Sequence, residues 1–176
     1  MSPAEIRPAT EADLPSVTEI YEHAVLYGTA TFELMPPDLA EMTRRFKALL
    51  DGGFPYFVGV LEGRVVGYAY AGPYRPRPAY RFTVENSVYL RPAIHRRGIG
   101  LQLMLRLIAE CEARGYRQMI AVIGDSANAG SIGVHTQNRL PDDRDSSQCR
   151  PQIRPLARHR DDAAHARRRR NDGAGG

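Results

Sequence analysis

The chain predicts a layered α+β domain of the mixed α/β kind, on three observations. Apolar residues recur at helical spacing in three stretches of the first 113 residues. Between and after them lie short runs rich in Val, Ile, Tyr and Phe. One such run leads into Gly98-Ile99-Gly100 and then a strongly apolar-faced helix. The resulting order is β-α-α-β-β-β-α-β-α, which calls for a central sheet flanked by helices.

In chain order, Ile6 to Ala9 reads as a first strand. Thr10 or Asp13 caps a helix that admits Pro15 in its first turn, with Leu14, Val17, Ile20, Tyr21 and Ala24 on one face. Gly28 ends it, and Pro36-Pro37 marks the following loop. A second helix runs from Leu39 to Leu50 and stops at Asp51-Gly52-Gly53. Tyr56 to Leu61 and Val65 to Tyr70 face each other across Glu62-Gly63-Arg64, a hairpin turn. Tyr80 to Leu90 alternates as a strand does. Ile99, Leu103, Met104, Leu107, Ile108 and Cys111 form one helical face that Gly115 closes. Gln118 to Ile123 is nearly all apolar, as in a central strand, and Asn128 to His135 begins a last helix.

The length of 176 residues suits one domain with a core of its own. Formal net charge is +4, yet residues 1–137 hold 14 basic and 14 acidic side chains. The excess sits in residues 138–176, with 10 Arg and 6 Asp, so the body gives no reason to expect nucleic acid. Two cysteines make neither a disulfide framework nor a metal-ligand spacing, and Cys111 reads as packing. With no signal peptide and no membrane-length apolar run, a soluble cytoplasmic protein, free of metal and membrane, is the expectation.

The chemistry concentrates after the Tyr80–Leu90 strand. Glycines let backbone N–H groups approach an anion, and a helix N-terminus favours negative charge. Arg96 and Arg97 add charge-assisted donors, so Arg96-Arg97-Gly98-Ile99-Gly100 suits a pyrophosphate. No Gly-Lys-Ser/Thr follows, so it is not a P-loop, and it lacks the third glycine of a dinucleotide fingerprint.

Val88-Tyr89-Leu90-Arg91-Pro92, followed by His95-Arg96-Arg97-Gly98-Ile99-Gly100, resembles the acetyl-CoA motif of the GNAT superfamily. Four stretches together resemble its phosphinothricin and methionine-sulfone acetyltransferases: Thr29 to Glu33, Val84 to Leu90, the glycine loop, and Ala121 to Gly124 with Asn128 and Ser131. His95 stands where that pattern usually has Gln or Arg, and it still donates to a phosphate. The resemblance implies a central, mostly antiparallel sheet and direct attack of an amine on the thioester of acetyl-CoA. It casts Glu85 as the base and His135 as the group that protonates the departing thiolate. Backbone groups of Val88, Tyr89 and Leu90 would meet the pantetheine arm. His95 to Leu101 would hold the pyrophosphate, and Asn128 and Ser131 would complete the cofactor contacts. Thr31, Phe32 and Glu33 would cover a small amino-acid-like acceptor, whose carboxylate suits Arg75 and Arg81. The resemblance also implies a homodimer.

The domain so read spans 1–137. Residues 138–176 contain no Phe, Tyr, Trp, Val or Met and include four consecutive arginines from Arg167 to Arg170. Such a composition cannot bury enough apolar surface to order itself. Back-translated with allowed codons and read one base later, residues 138–163 yield T-G-F-R-M-I-G, then H-K-F-G-R-W, then D-T-V-M-M-Q. These resemble the subfamily's missing end, so a one-base shift near codons 135–138 is expected, by mutation or misreading. The last strands would then be missing, and the chain would be unstable and weakly active or inactive. A protein N-terminal acetyltransferase would want an open acidic groove, which Arg75 and Arg81 disfavour. A nucleic-acid binder would rest on the arginine run alone.

Overall fold

The computed structural model describes residues 4–28, 31, 33–94, 97–123 and 150–155, the last six and 122–123 by their backbone alone. Strand β1 (Glu5–Pro8) is followed by a single 3-10 turn and helix α1 (Leu14–Tyr27). Asp13 sits at that junction. Its carboxylate accepts both guanidinium nitrogens of Arg7 at 2.7 and 2.8 Å and the Thr10 backbone N–H at 2.8 Å. These charge-assisted bonds tie β1 to α1 and lower the buried carboxyl to about 2.

Helix α2 (Leu39–Asp51) starts where the Asp38 side chain accepts the Glu41 N–H, a conventional N-cap. Strands β2 (Tyr56–Leu61) and β3 (Arg64–Pro73) meet at Glu62-Gly63, both with positive φ, as a tight hairpin turn requires. Then come β4 (Thr83–Leu90), α3 (Ile99–Ala113) and β5 (Gln118–Ile123). The sheet order is β1-β2-β3-β4-β5-β6, antiparallel through β4 and parallel from β4 onward. The predicted helix Asn128 to His135 lies outside the described residues.

One expectation is corrected here. No strand was expected after β5, yet β6 (Arg150–Pro155) pairs parallel with all of β5, from Gln118↔Arg150 to Ile123↔Pro155. The open edge of β5 offers backbone donors and acceptors that an extended segment can meet without any side-chain pattern. Two prolines confine such a segment to a sheet edge, where β6 lies.

The sheet has two packed faces. On one, α3 buries Ile99, Leu103, Met104, Leu107, Ile108 and Cys111 against Phe57, Val66, Ala69, Ala71, Val84 and Met119. On the other, α1 and α2 bury Leu14, Val17, Ile20, Tyr21, Met42 and Phe46 against Tyr56, Val58, Val65 and Tyr68. The start of α3 settles over a glycine pair, Gly59↔Gly67. A Cβ at Gly59 would stand 3.1 Å from Ile99, and one at Gly67 would collide with the Leu90 side chain. Close approach of helix to sheet thus fixes where the N-terminus of α3 sits relative to β4.

Candidate active site

Strand β4 distributes its side chains by simple alternation. Val84, Val88 and Leu90 join the α3 core, while Tyr89 joins the α1/α2 core. Glu85 and Ser87 share the face of Tyr89. Glu85 is half-buried, lies opposite Gly72 on β3 and Ile120 on β5, and its carboxyl is pushed above the usual range by burial. Because Gly72, opposite Glu85, has no side chain, Leu49 of α2 comes close to the strand there; a Cβ on Gly72 would stand 3.3 Å from it. Tyr70 lies opposite Ser87 and has its hydroxyl raised mainly by burial.

The segment between α1 and α2 brings further polar groups to this face. The Tyr21 hydroxyl lies 2.9 Å from Thr31 Oγ1 and donates to Glu33 Oε1 at 3.0 Å. Arg45 donates to both Glu33 oxygens, at 2.6 and 3.3 Å. Tyr89, T-stacked on Tyr21 with ring centroids 5.1 Å apart, sits beneath them. Thr31 and Glu33 are therefore brought together. Phe32, between them, lies outside the described residues.

The edge of β4 toward β5 changes character halfway along. Pairing runs from Thr83↔Gln118 to Asn86↔Ala121 and ends there, although β5 continues to Ile123. The Arg91 N–H donates to Val66 of β3 at 2.9 Å, so odd-numbered residues of β4 point their backbone groups at β3. The N–H and C=O of Val88 and Leu90 consequently face the side from which β5 has parted. Just beyond, Gly98 takes φ 75 as the N-cap of α3, a left-handed conformation that glycine adopts freely. The first intrahelical bond runs from Gln102 N–H to Gly98 C=O, which leaves the N–H groups of Ile99, Gly100 and Leu101 without helical acceptors. Arg97 is exposed beside them. Ile99 is buried by its side chain, so only its backbone is available for binding.

Tyr89 turns its side chain away from that edge, into the aromatic cluster, so any contact it makes there is through backbone. The two arginines expected to favour the acceptor's carboxylate have separate partners. Arg75 lies over the rings of Tyr74 and Tyr80, at 5.2 and 5.8 Å from their centroids. Arg81 lies 4.4 Å over Phe82 and donates to Pro78 C=O at 3.4 Å. His95, Arg96, Asn128, Ser131 and His135 lie outside the described residues. Sequence reasoning missed Tyr21, Arg45, Tyr70 and Ser87. Ser87 was within reach, since alternation puts it on the face of Glu85.

The sequence profile described as "Acetyltransferase (GNAT) family" matches residues 17–139. The phosphinothricin N-acetyltransferase of Alcaligenes faecalis is 51% identical over 130 residues, which are 74% of this chain and 66% of that one, just under two thirds of its length. The L-methionine sulfoximine/L-methionine sulfone acetyltransferase of Pseudomonas paraeruginosa is 43% identical over 133 residues, 75% of this chain and 77% of that one. The solved structure of a phosphinothricin acetyltransferase from Sinorhizobium meliloti in complex with AcCoA superposes with TM-score 0.74 at 50% identity, covering 76% of this chain and 72% of that one.

Proposed function

The chain belongs to the GNAT acetyltransferase family, and from that premise we propose that it acetylates the amino group of a small amino-acid-like acceptor, with phosphinothricin and methionine sulfoximine or sulfone as the leading choices. One observation carries this reading. A single strand, β4, offers a half-buried carboxylate at Glu85 and, from Val88 onward, a backbone edge that is unpaired among the described residues and runs toward the N-terminus of α3.

That edge fits acetyl-CoA, which supplies the thioester. Val88 and Leu90 would bind its extended pantetheine arm as a neighbouring strand would. The N–H groups of Ile99, Gly100 and Leu101, with His95, Arg96 and Arg97, would hold the pyrophosphate. Asn128 and Ser131 belong to the same contact set by resemblance. Glu85 would take the proton of the acceptor ammonium, directly or through one water. Its raised pKa brings it nearer the working pH, which makes it a better base than an ordinary surface carboxylate. Thr31, Phe32 and Glu33 would cover the acceptor, Arg75 and Arg81 would favour its carboxylate, and His135 would return a proton to the thiolate. A cytoplasmic homodimer goes with this reading.

The profile match stops at residue 139, where the composition changes. We propose that a one-base shift near codons 135–138 replaced the family's C-terminal strands with the arginine-rich tail. Two purified chains test both statements: this one and one with the frame restored. Each is mixed with acetyl-CoA and each candidate acceptor, and released thiol is followed. The restored chain is expected to turn over and to melt higher. No thiol release by the restored chain with any acceptor would sink the acetyltransfer reading. Equal turnover and melting of the two chains would sink the claim about the tail.

A further inference from the structure

Between α1 and α2 the described residues form no helix or strand, so side chains must place Thr31 and Glu33. The Glu33 carboxylate receives three donors. Two come from the Arg45 guanidinium and one from the Tyr21 hydroxyl. The Glu33 backbone N–H in turn donates to Thr31 Oγ1 at 3.2 Å, which locks the two residues to each other. Neither donor is free to wander. Arg45 is held a second time by Glu41, whose Oε1 accepts its Nε at 2.8 Å within α2. Tyr21 is 7% exposed in α1 and braced edge-on against Tyr89 of β4, on the face that carries Glu85. A continuous set of contacts therefore runs from α2 through Glu33 and Tyr21 to the catalytic strand.

We propose that Arg45 and Tyr21 are positioning residues that hold Thr31 and Glu33 at a fixed reach from Glu85 and thereby set affinity for the acceptor, an inference that rests on the acetyltransfer reading. The planar guanidinium makes two directed bonds to one carboxylate, which a lysine cannot copy. Neither residue takes part in bond making, so their loss acts on acceptor binding and leaves acetyl-CoA binding alone.

The experiment compares wild type, Arg45→Met, Arg45→Lys and Arg44→Met. Arg44 is an exposed neighbour paired with Glu41, so its variant controls for general loosening of α2. Steady-state rates are measured with methionine sulfoximine as acceptor, acetyl-CoA affinity by calorimetry, and exchange of the Glu33 amide proton by NMR. For Arg45→Met the acceptor KM is expected to rise roughly tenfold or more, with kcat within about threefold and acetyl-CoA affinity unchanged. Arg45→Lys recovers part of the loss, and Arg44→Met matches wild type. Glu33 amide exchange speeds up in Arg45→Met. An unchanged acceptor KM, or an equal loss of acetyl-CoA affinity, overturns the proposal. If wild type acetylates no amine, the rates are taken in the frame-restored chain, and if that chain acetylates none either, the functional reading fails separately. The amide then decides, since unaltered exchange in Arg45→Met overturns the positioning role and faster exchange upholds it.

Discussion

On the face of the sheet beneath α3, Ala69, Ala71, Val84 and Met119 pack against Leu103, Met104, Leu107 and Cys111, all 0% exposed. The face beneath α1 and α2 is floored instead by Tyr56, Tyr68, Tyr70 and Tyr89 and carries Glu85 and Ser87. The same strands build both. The apolar face accepts close approach and holds the N-terminus of α3 against β2 and β3. The tyrosine face is large, stiff and edged with hydroxyls, so it can desolvate a carboxylate without stranding it. The difference assigns labour: one face fixes where a cofactor would lie, the other tunes the groups that would handle the acceptor. Substitutions on the two faces should therefore fail differently.

The largest expected effect falls on the tyrosine face. Glu85→Gln should lower kcat by about 10² to 10³ while acetyl-CoA affinity stays level, because a general base contributes on that order. Burial raises the folded carboxyl pKa, and the base works deprotonated, so kcat/KM should fall as pH drops through a value above the ordinary carboxylate range. That limb should vanish in Glu85→Gln. The stability linkage runs in the opposite direction. A carboxyl with a raised folded pKa contributes most below its unfolded pKa and loses that contribution as pH rises through the folded one. Full activity in Glu85→Gln would break the division between the faces.

Next comes the apolar face. Leu103→Ala should cost about 3 kcal/mol in urea unfolding, since its side chain is 0% exposed and removing it leaves a cavity. Acetyl-CoA affinity should fall with it, because Leu103 seats the first turns of α3 over the glycine pair. A variant that lost stability but kept cofactor affinity would show that α3 is placed by something else.

Gly67→Ala should cost somewhat less, about 1–3 kcal/mol. The new Cβ would meet the Leu90 side chain and lie 2.9 Å from the Tyr89 carbonyl. Leu90 can turn aside, but its backbone belongs to the edge of β4 from which β5 has parted, so acetyl-CoA affinity should weaken as well. Calorimetry with acetyl-CoA checks this directly.

Much of this division was legible beforehand, and particular residues show why. Strand β4 declared itself because Val84, Val88 and Leu90 alternate with Glu85, Ser87 and Tyr89, and period two is visible in any sequence. Helix α3 did so through Leu103, Leu107 and Cys111. Strand β3 was harder. Val65 and Tyr68 share one face although three residues apart, because the register shifts between Gly59 and Val60 and the alternation slips. Nothing local announces a bulge. The Arg45–Glu33 pair spans 12 residues between a helix and an irregular segment, and its signal is only that each residue carries a charge. Strand β6 was unreadable for another reason: its pairing is backbone to backbone, which leaves no mark in the side chains.

The smallest expected effect is the most discriminating. Among the tyrosines, the Tyr70 hydroxyl meets Ser87 and the Tyr89 hydroxyl meets Tyr21. Tyr68 is 0% exposed, and its hydroxyl has no hydrogen-bond partner among the described residues. A buried hydroxyl without a partner costs stability that its deletion returns, whereas deletion of a paired one exposes the partner. Tyr68→Phe should therefore be neutral or stabilising by up to about 1 kcal/mol. Tyr70→Phe, which takes a polar neighbour away from half-buried Ser87, should destabilise by up to about 1 kcal/mol. The ring stack of Tyr68 between Tyr56 and Tyr89 survives either change, so the comparison isolates the hydroxyls. Urea unfolding of the two variants side by side decides it. A loss in Tyr68→Phe equal to that in Tyr70→Phe would mean that a buried water or another group satisfies Tyr68, and that the tyrosine face is polar to its centre rather than only along its Glu85 edge.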